Sequence, residues 1–96
     1  MAFMRVNRDM VAREKARNIF RTLAVDRDEL IRQTICDNMD DLIEIEPSTV
    51  KDIVVKNLVR DENSFVQTRA VKLIMRLINF FPEQRNELLL LVDAAR

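Results

Sequence analysis

The sequence predicts an all-α protein of about five helices, arranged as stacked helix pairs in one domain spanning residues 1–96. Three observations predict it. Apolar residues recur at three- and four-residue intervals along most of the chain, the spacing of one helix face rather than one strand face. The pattern repeats at an offset of 35 residues. The chain has no glycine and two prolines, so the residues that tight β-hairpin turns require are missing.

Five helices follow in order, at about 8–24, 28–46, 48–59, 63–81 and 83–95. The first carries Ala12, Ala16, Ile19, Phe20 and Leu23 on one side. In the second, Ile31, Ile35, Met39 and Leu42 form the stripe, with Asp28 placed to cap its first turn. Pro47 ends it, because the residue before a proline is pushed out of helical torsions. Val50, Ile53, Val54 and Leu58 mark the third helix. The fourth presents Val66, Ala70, Ile74 and Leu77, opens on Asn63 and stops at Pro82. The apolar run from Leu88 to Val92 marks the fifth.

The offset pairs whole elements rather than isolated residues. Asp26 falls on Asp61, Asp28 on Asn63, Leu30 on Phe65, Ile31 on Val66, Met39 on Ile74, Leu42 on Leu77, Ile45 on Phe80 and Pro47 on Pro82. Ile53, Val54 and Val55 fall on Leu88, Leu89 and Leu90, and Ile19, Phe20 and Leu23 fall on Val54, Val55 and Leu58. Short connections fold each helix back on its neighbour, and a pair buries its apolar stripe only against the next pair.

These residues resemble HEAT repeats, helix pairs that carry an Asp in the turn between the helices, Val-Arg five and six positions later, and then Ala. The chain reads Asp61, Val66, Gln67, Ala70 in one copy and Asp26, Ile31, Arg32, Ile35 in the other, so Gln67 replaces the expected Arg and Ile35 the expected Ala. The period of 35 is shorter than the usual 40 or so. Tetratricopeptide repeats have nearly this period, but their pattern uses Trp, Gly and Tyr, and this chain contains none of the three. The resemblance implies an α–α superhelix, a short HEAT-like solenoid. In it, helices 28–46 and 63–81 line the concave face, 8–24 and 48–59 are their outer partners, and 83–95 is an outer helix without a partner. It implies no reaction.

Composition narrows the function classes. Sixteen basic and sixteen acidic residues give zero formal charge, so no global field gathers nucleic acid or anionic membrane. Without His, the commonest general base and metal ligand is missing, and the expectation is a non-enzyme with no cofactor and no metal. A calcium loop starting at Asp26 fails, with Ile31 at its glycine position and Asp37 where a bidentate Glu belongs. Ser48 and Ser64 lie near helix starts and read as caps rather than nucleophiles. The one cysteine, Cys36, aligns with Val71 and reads as a buried thiol. One cysteine, no apolar leader and no run long enough to span a bilayer predict a cytoplasmic chain with no membrane partner.

Three surfaces remain as candidates. Asp37, Asp40, Asp41 and Glu44 form an acidic face on the second helix, and their offset equivalents predict a ladder pairing Asp37 with Lys72 and Asp41 with Arg76. Arg13, Arg17 and Arg21 form a cationic stripe on the first helix, extended by Arg5 and Arg8, in a segment (1–25) of net charge +4. That stripe is the basis of an alternative reading, phosphate contact with nucleic acid. Leu88, Leu89, Leu90, Leu91 and Val92 cannot all face one neighbour at 100° per residue, so part of the run is expected to be exposed as a protein interface. The predicted function is a non-catalytic protein-interaction or scaffold module, forming a homodimer through its last helix or binding another protein.

Overall fold

The computed structural model describes the backbone of residues 2–95 and the side chains of residues 13–95. Five α-helices form, α1 (Ala2–Leu23), α2 (Glu29–Leu42), α3 (Pro47–Lys56), α4 (Ser64–Phe80) and α5 (Arg85–Ala95). Single 3-10 turns follow α3 at Leu58–Arg60 and precede α5 at Pro82–Gln84. The described residues contain no strand.

Helices α2 and α4 start alike. Asp28 (φ −80°, ψ 115°) accepts the Leu30 N–H at 2.9 Å. Asn63 (φ −75°, ψ 119°) accepts the N–H groups of Phe65 and Val66, both at 3.0 Å. Two residues earlier, Asp26 accepts the Asp28 N–H at 2.8 Å and Asp61 accepts that of Asn63 at 2.9 Å. The residues before the prolines also match, with Glu46 at φ −136°, ψ 70° and Phe81 at φ −130°, ψ 66°. The offset of 35 in the sequence thus recurs in backbone torsions and caps. Neither serine is a cap: Ser64 is the first residue after the Asn63 cap, and Ser48 lies inside α3.

Helix ends differ from the expected ones for local reasons. The second helix stops at Leu42, and the N–H groups of Ile45 and Glu46 both reach the Leu42 carbonyl, at 2.9 and 2.7 Å, as Pro47 forces the chain out of helix. Pro47 itself opens α3, where its missing N–H costs nothing. That helix ends at Lys56 because Asn57 leaves helical torsions (φ −126°, ψ −63°), and the following turn buries both Leu58 and Val59. The last helix starts at Arg85 rather than 83. The first reaches back to Ala2, since no glycine or proline stands in its way.

Around α4 the core assembles. Val66, Ala70, Leu73, Ile74 and Leu77 are buried on it, and it packs against α2, α3, α5 and the Leu58–Arg60 turn. The opposing helices supply Ile35, Cys36 and Met39 from α2, Val50, Ile53 and Val54 from α3, and Leu88 and Val92 from α5. From α1, Phe20 and Leu23 pack partly buried against this cluster, with Ala24 just beyond the helix fully inside it. The molecule measures 51 × 34 × 17 Å, a slab about two helices thick.

Candidate interaction surfaces

Carboxylates on α2 meet arginines on α4, but the partners differ from the expected ladder. Asp37 pairs with Arg69, while Arg76 pairs with Asp40 at 3.1 Å and Glu44 at 2.9 Å. Arg76 also donates to the Asp40 carbonyl at 2.8 Å. Lys72 and Asp41 are exposed and in no ion pair among the described residues. The reason is geometric. Arg69 and Arg76 of α4 fall on Thr34 and Asp41 at the 35-residue offset, not on Asp37, Asp40 or Glu44, so the two helices meet through different positions of the sequence pattern. Arg69 additionally lies over the Phe65 ring, 4.8 Å from its centre.

Behind this seam lies a deeper pair. Arg32 on α2 binds Asp61 through Nε at 2.7 Å and Nη2 at 3.1 Å. Its Nη1 donates to the carbonyls of Asp26 and Arg27, at 2.7 and 3.1 Å, so one guanidinium joins both inter-helix turns. The side chains are only 16% and 6% exposed. Gln67, at the position equivalent to Arg32, donates instead to the Val59 carbonyl at 3.3 Å. Beside the pair is an open hollow of about 370 Å³, where Arg27, Lys56 and Arg60 alternate with Asp26 and Glu62.

On α1, Arg17 binds Glu46 with contacts of 2.6 to 3.2 Å, and Arg21 reaches Asp52 at 3.4 Å. The hydrogen bonds from Arg17 hold the Glu46 carboxyl below its usual range and raise the Arg17 guanidinium, with Thr49 adding a bond to the same carboxylate. Asp52 is also held low, first by Lys56 at 2.8 Å and then by Arg21. Of the described stripe, Arg13 alone has no carboxylate partner among the described residues. The side chains of Arg5 and Arg8 lie outside the described residues.

The apolar run of the last helix is divided by its own periodicity. Leu88 and Val92 are 2% and 5% exposed and belong to the core, with Leu91 packed against it, so these three are not open interface residues. Four-residue spacing turns 88 and 92 toward α4, and Leu90, nearly opposite, is 68% exposed. Leu89 is half-buried. Sequence reasoning missed the part of this surface that lies on α4. There Val71 and Ile78 are half-buried and Met75 is 50% exposed. The signal was present in the repeat for Val71 and Ile78, whose equivalents Cys36 and Ile43 are buried, and absent for Met75, whose equivalent Asp40 is exposed.

Comparison with protein-family models, with curated proteins and with solved structures finds no match. Among the described residues, no helix is long and apolar enough to cross a membrane, and no three His, Cys, Asp or Glu side chains are grouped as metal ligands. Cys36 is 1% exposed, and burial pushes its thiol up to about 11, which keeps it protonated and unreactive at neutral pH.

Proposed function

We propose that the protein is a non-catalytic interaction module of HEAT-like helix pairs, a scaffold element of the cytoplasm that associates with a second copy of itself through its C-terminal end. One observation carries this reading. Positions buried by the following unit in the first repeat are uncovered in the second: Cys36 and Ile43 are buried while Val71 and Ile78 are partly open, and Val54 is buried while Leu89 is half-open. A layer of apolar side chains shaped for helix packing therefore ends at the surface, and covering it yields about 25 cal/mol per Å² of apolar area, less the cost of association.

The engagement of Arg17 and Arg21 by Glu46 and Asp52 favours this reading over phosphate contact, because a nucleic acid must compete with carboxylates already in place. The test is molar mass on dilution. The expectation is a dimer at high concentration that dissociates when diluted, weakened at least tenfold by Leu90→Glu, a substitution at an exposed site that leaves helix content unchanged. A single-chain mass at every concentration overturns the proposal.

A further inference from the structure

The two ends of the helix array are chemically unlike, and the difference decides how two copies meet. Within the molecule, α4 meets α2 through Arg69 and Arg76, which bind Asp37, Asp40 and Glu44, and Leu73, between them on the same side of α4, is 2% exposed. The residues 35 positions earlier, which a second copy would offer if it added head to tail in the same manner, are Thr34, Asn38 and Asp41. All three are exposed and polar. Such an addition would set Asn38 where the interface buries Leu73, and Thr34 and Asp41 where it has Arg69 and Arg76. Burying an amide without a partner is unfavourable, and the apolar anchor is lost with it.

The C-terminal end has the opposite character. Val71, Met75 and Ile78 on α4 and Leu89 and Leu90 on α5 make it apolar. Its exposed charges are of both signs, Lys72 on α4 and Arg85 at the start of α5 with Glu87 and Asp93 further along α5, and none is in an ion pair among the described residues. Glu87, Leu90 and Asp93 follow one another at three-residue spacing along the outward side of α5. A face with an apolar centre, a cation at one place and anions at another is complementary to itself after a two-fold rotation, which brings Lys72 of each copy toward the carboxylates of the other.

Resting on the self-association proposed above, we infer that two copies pair like face to like face, the α4–α5 end of one against the α4–α5 end of the other, in a closed two-fold dimer. The α2 ends then point outward as polar caps, and growth stops at two. Met75, at the middle of α4, belongs to the contact although it lies outside the leucine run of the last helix.

Sedimentation equilibrium of the full chain over a wide concentration range, with Met75→Glu and Asn38→Glu variants, tests this. Met75 is half-exposed and Asn38 exposed, so both variants keep the fold, which circular dichroism verifies. The expected result is a mass that levels off at twice the 11.3 kDa of one chain, a dimer at least tenfold weaker in Met75→Glu and unchanged in Asn38→Glu. Mass that keeps rising with concentration, or a dimer lost in Asn38→Glu, overturns the two-fold pairing and leaves self-association standing in head-to-tail form. A dimer indifferent to Met75→Glu overturns the placement of the contact on α4. A single chain throughout overturns this inference together with the reading it rests on.

Discussion

Removing the Arg32 guanidinium deprives Asp61, 6% exposed, of its main counter-charge and leaves only the Asn63 N–H on that carboxylate. Arg32→Ala is therefore expected to lower unfolding stability by about 3 kcal/mol, whereas Arg76→Ala, whose partners Asp40 and Glu44 are exposed, loses at most about 1 kcal/mol. Urea midpoints at constant m-value check both, and equal losses would show that burial is not what separates the two pairs. Cys36 gives a second residue-scale expectation. Its folded thiol titrates at about 11, while an unfolded one titrates near about 8.5. A group that holds its proton more tightly when folded has no effect on stability below the unfolded value, and stability then declines as pH rises from there toward the folded one. At pH 8 a disulfide reagent should label the native protein at least 100-fold more slowly than the urea-unfolded chain; rapid native labelling contradicts a sealed thiol. The sequence made Asp26, Asp61 and Arg32 visible as a pattern, and it made Cys36 visible as an aliphatic position. It did not show that Arg32 reaches forward to the Asp of the next unit, since a contact between units depends on how they dock and not on where equivalent residues fall.

At the scale of helices, existence was legible and endings were not. Apolar spacing reports the side that packs in α2 to α5, whereas in α1 Phe20 and Leu23 pack but Ile19, assigned to the same side, is 56% exposed, and the Ala12 side chain lies outside the described residues. Endings depend on competing local terms: the steric demand of Pro47 acts four residues upstream of its own position, and burial of Leu58 and Val59 together requires a tighter turn than α-helix provides. Caps lie between these cases, because Asp28 and Asn63 act through atoms that their side chains are known to offer. Asn63 accepts two N–H groups and donates to Glu29 at 2.8 Å, tying α4 to the start of α2. Asn63→Ala should cost about 1 kcal/mol, and Asn63→Asp should recover part of it, since the carboxylate keeps the cap but exchanges the bond to Glu29 for like-charge repulsion at that exposed carboxylate. A full loss in Asn63→Asp would mean that the tie to Glu29, rather than the cap, is what the residue contributes.

Over the whole molecule, attachment is uneven, and acid should expose the weak link. The helices α2 to α5 share the core around α4, while α1 joins it through Phe20, Leu23 and the ion pairs of Arg17 and Arg21 with Glu46 and Asp52. Both carboxyls are held below their usual range when folded, Glu46 mainly by Arg17 of α1 and Asp52 mainly by Lys56 of its own helix and only then by Arg21, so Glu46 is the chief acid-sensitive tie to α1. Their contribution is present in full above the unfolded values, about 4.3 for Glu and 3.9 for Asp, and is lost as pH falls through the lower folded ones. Protonation removes the charge from each pair without touching Leu73, Ile74 or Leu77 at the centre of α4, so the first consequence of acid is release of α1, ahead of collapse of the remaining helices. Hydrogen exchange measured as pH is lowered from 5 toward 2, normalised for intrinsic rates, should show protection falling first in residues 13–23 and last in α4. Loss of protection in all helices at one pH would mean that α1 is as firmly bound as the rest, and that the apolar contacts of Phe20 and Leu23, rather than the ion pairs, hold it in place.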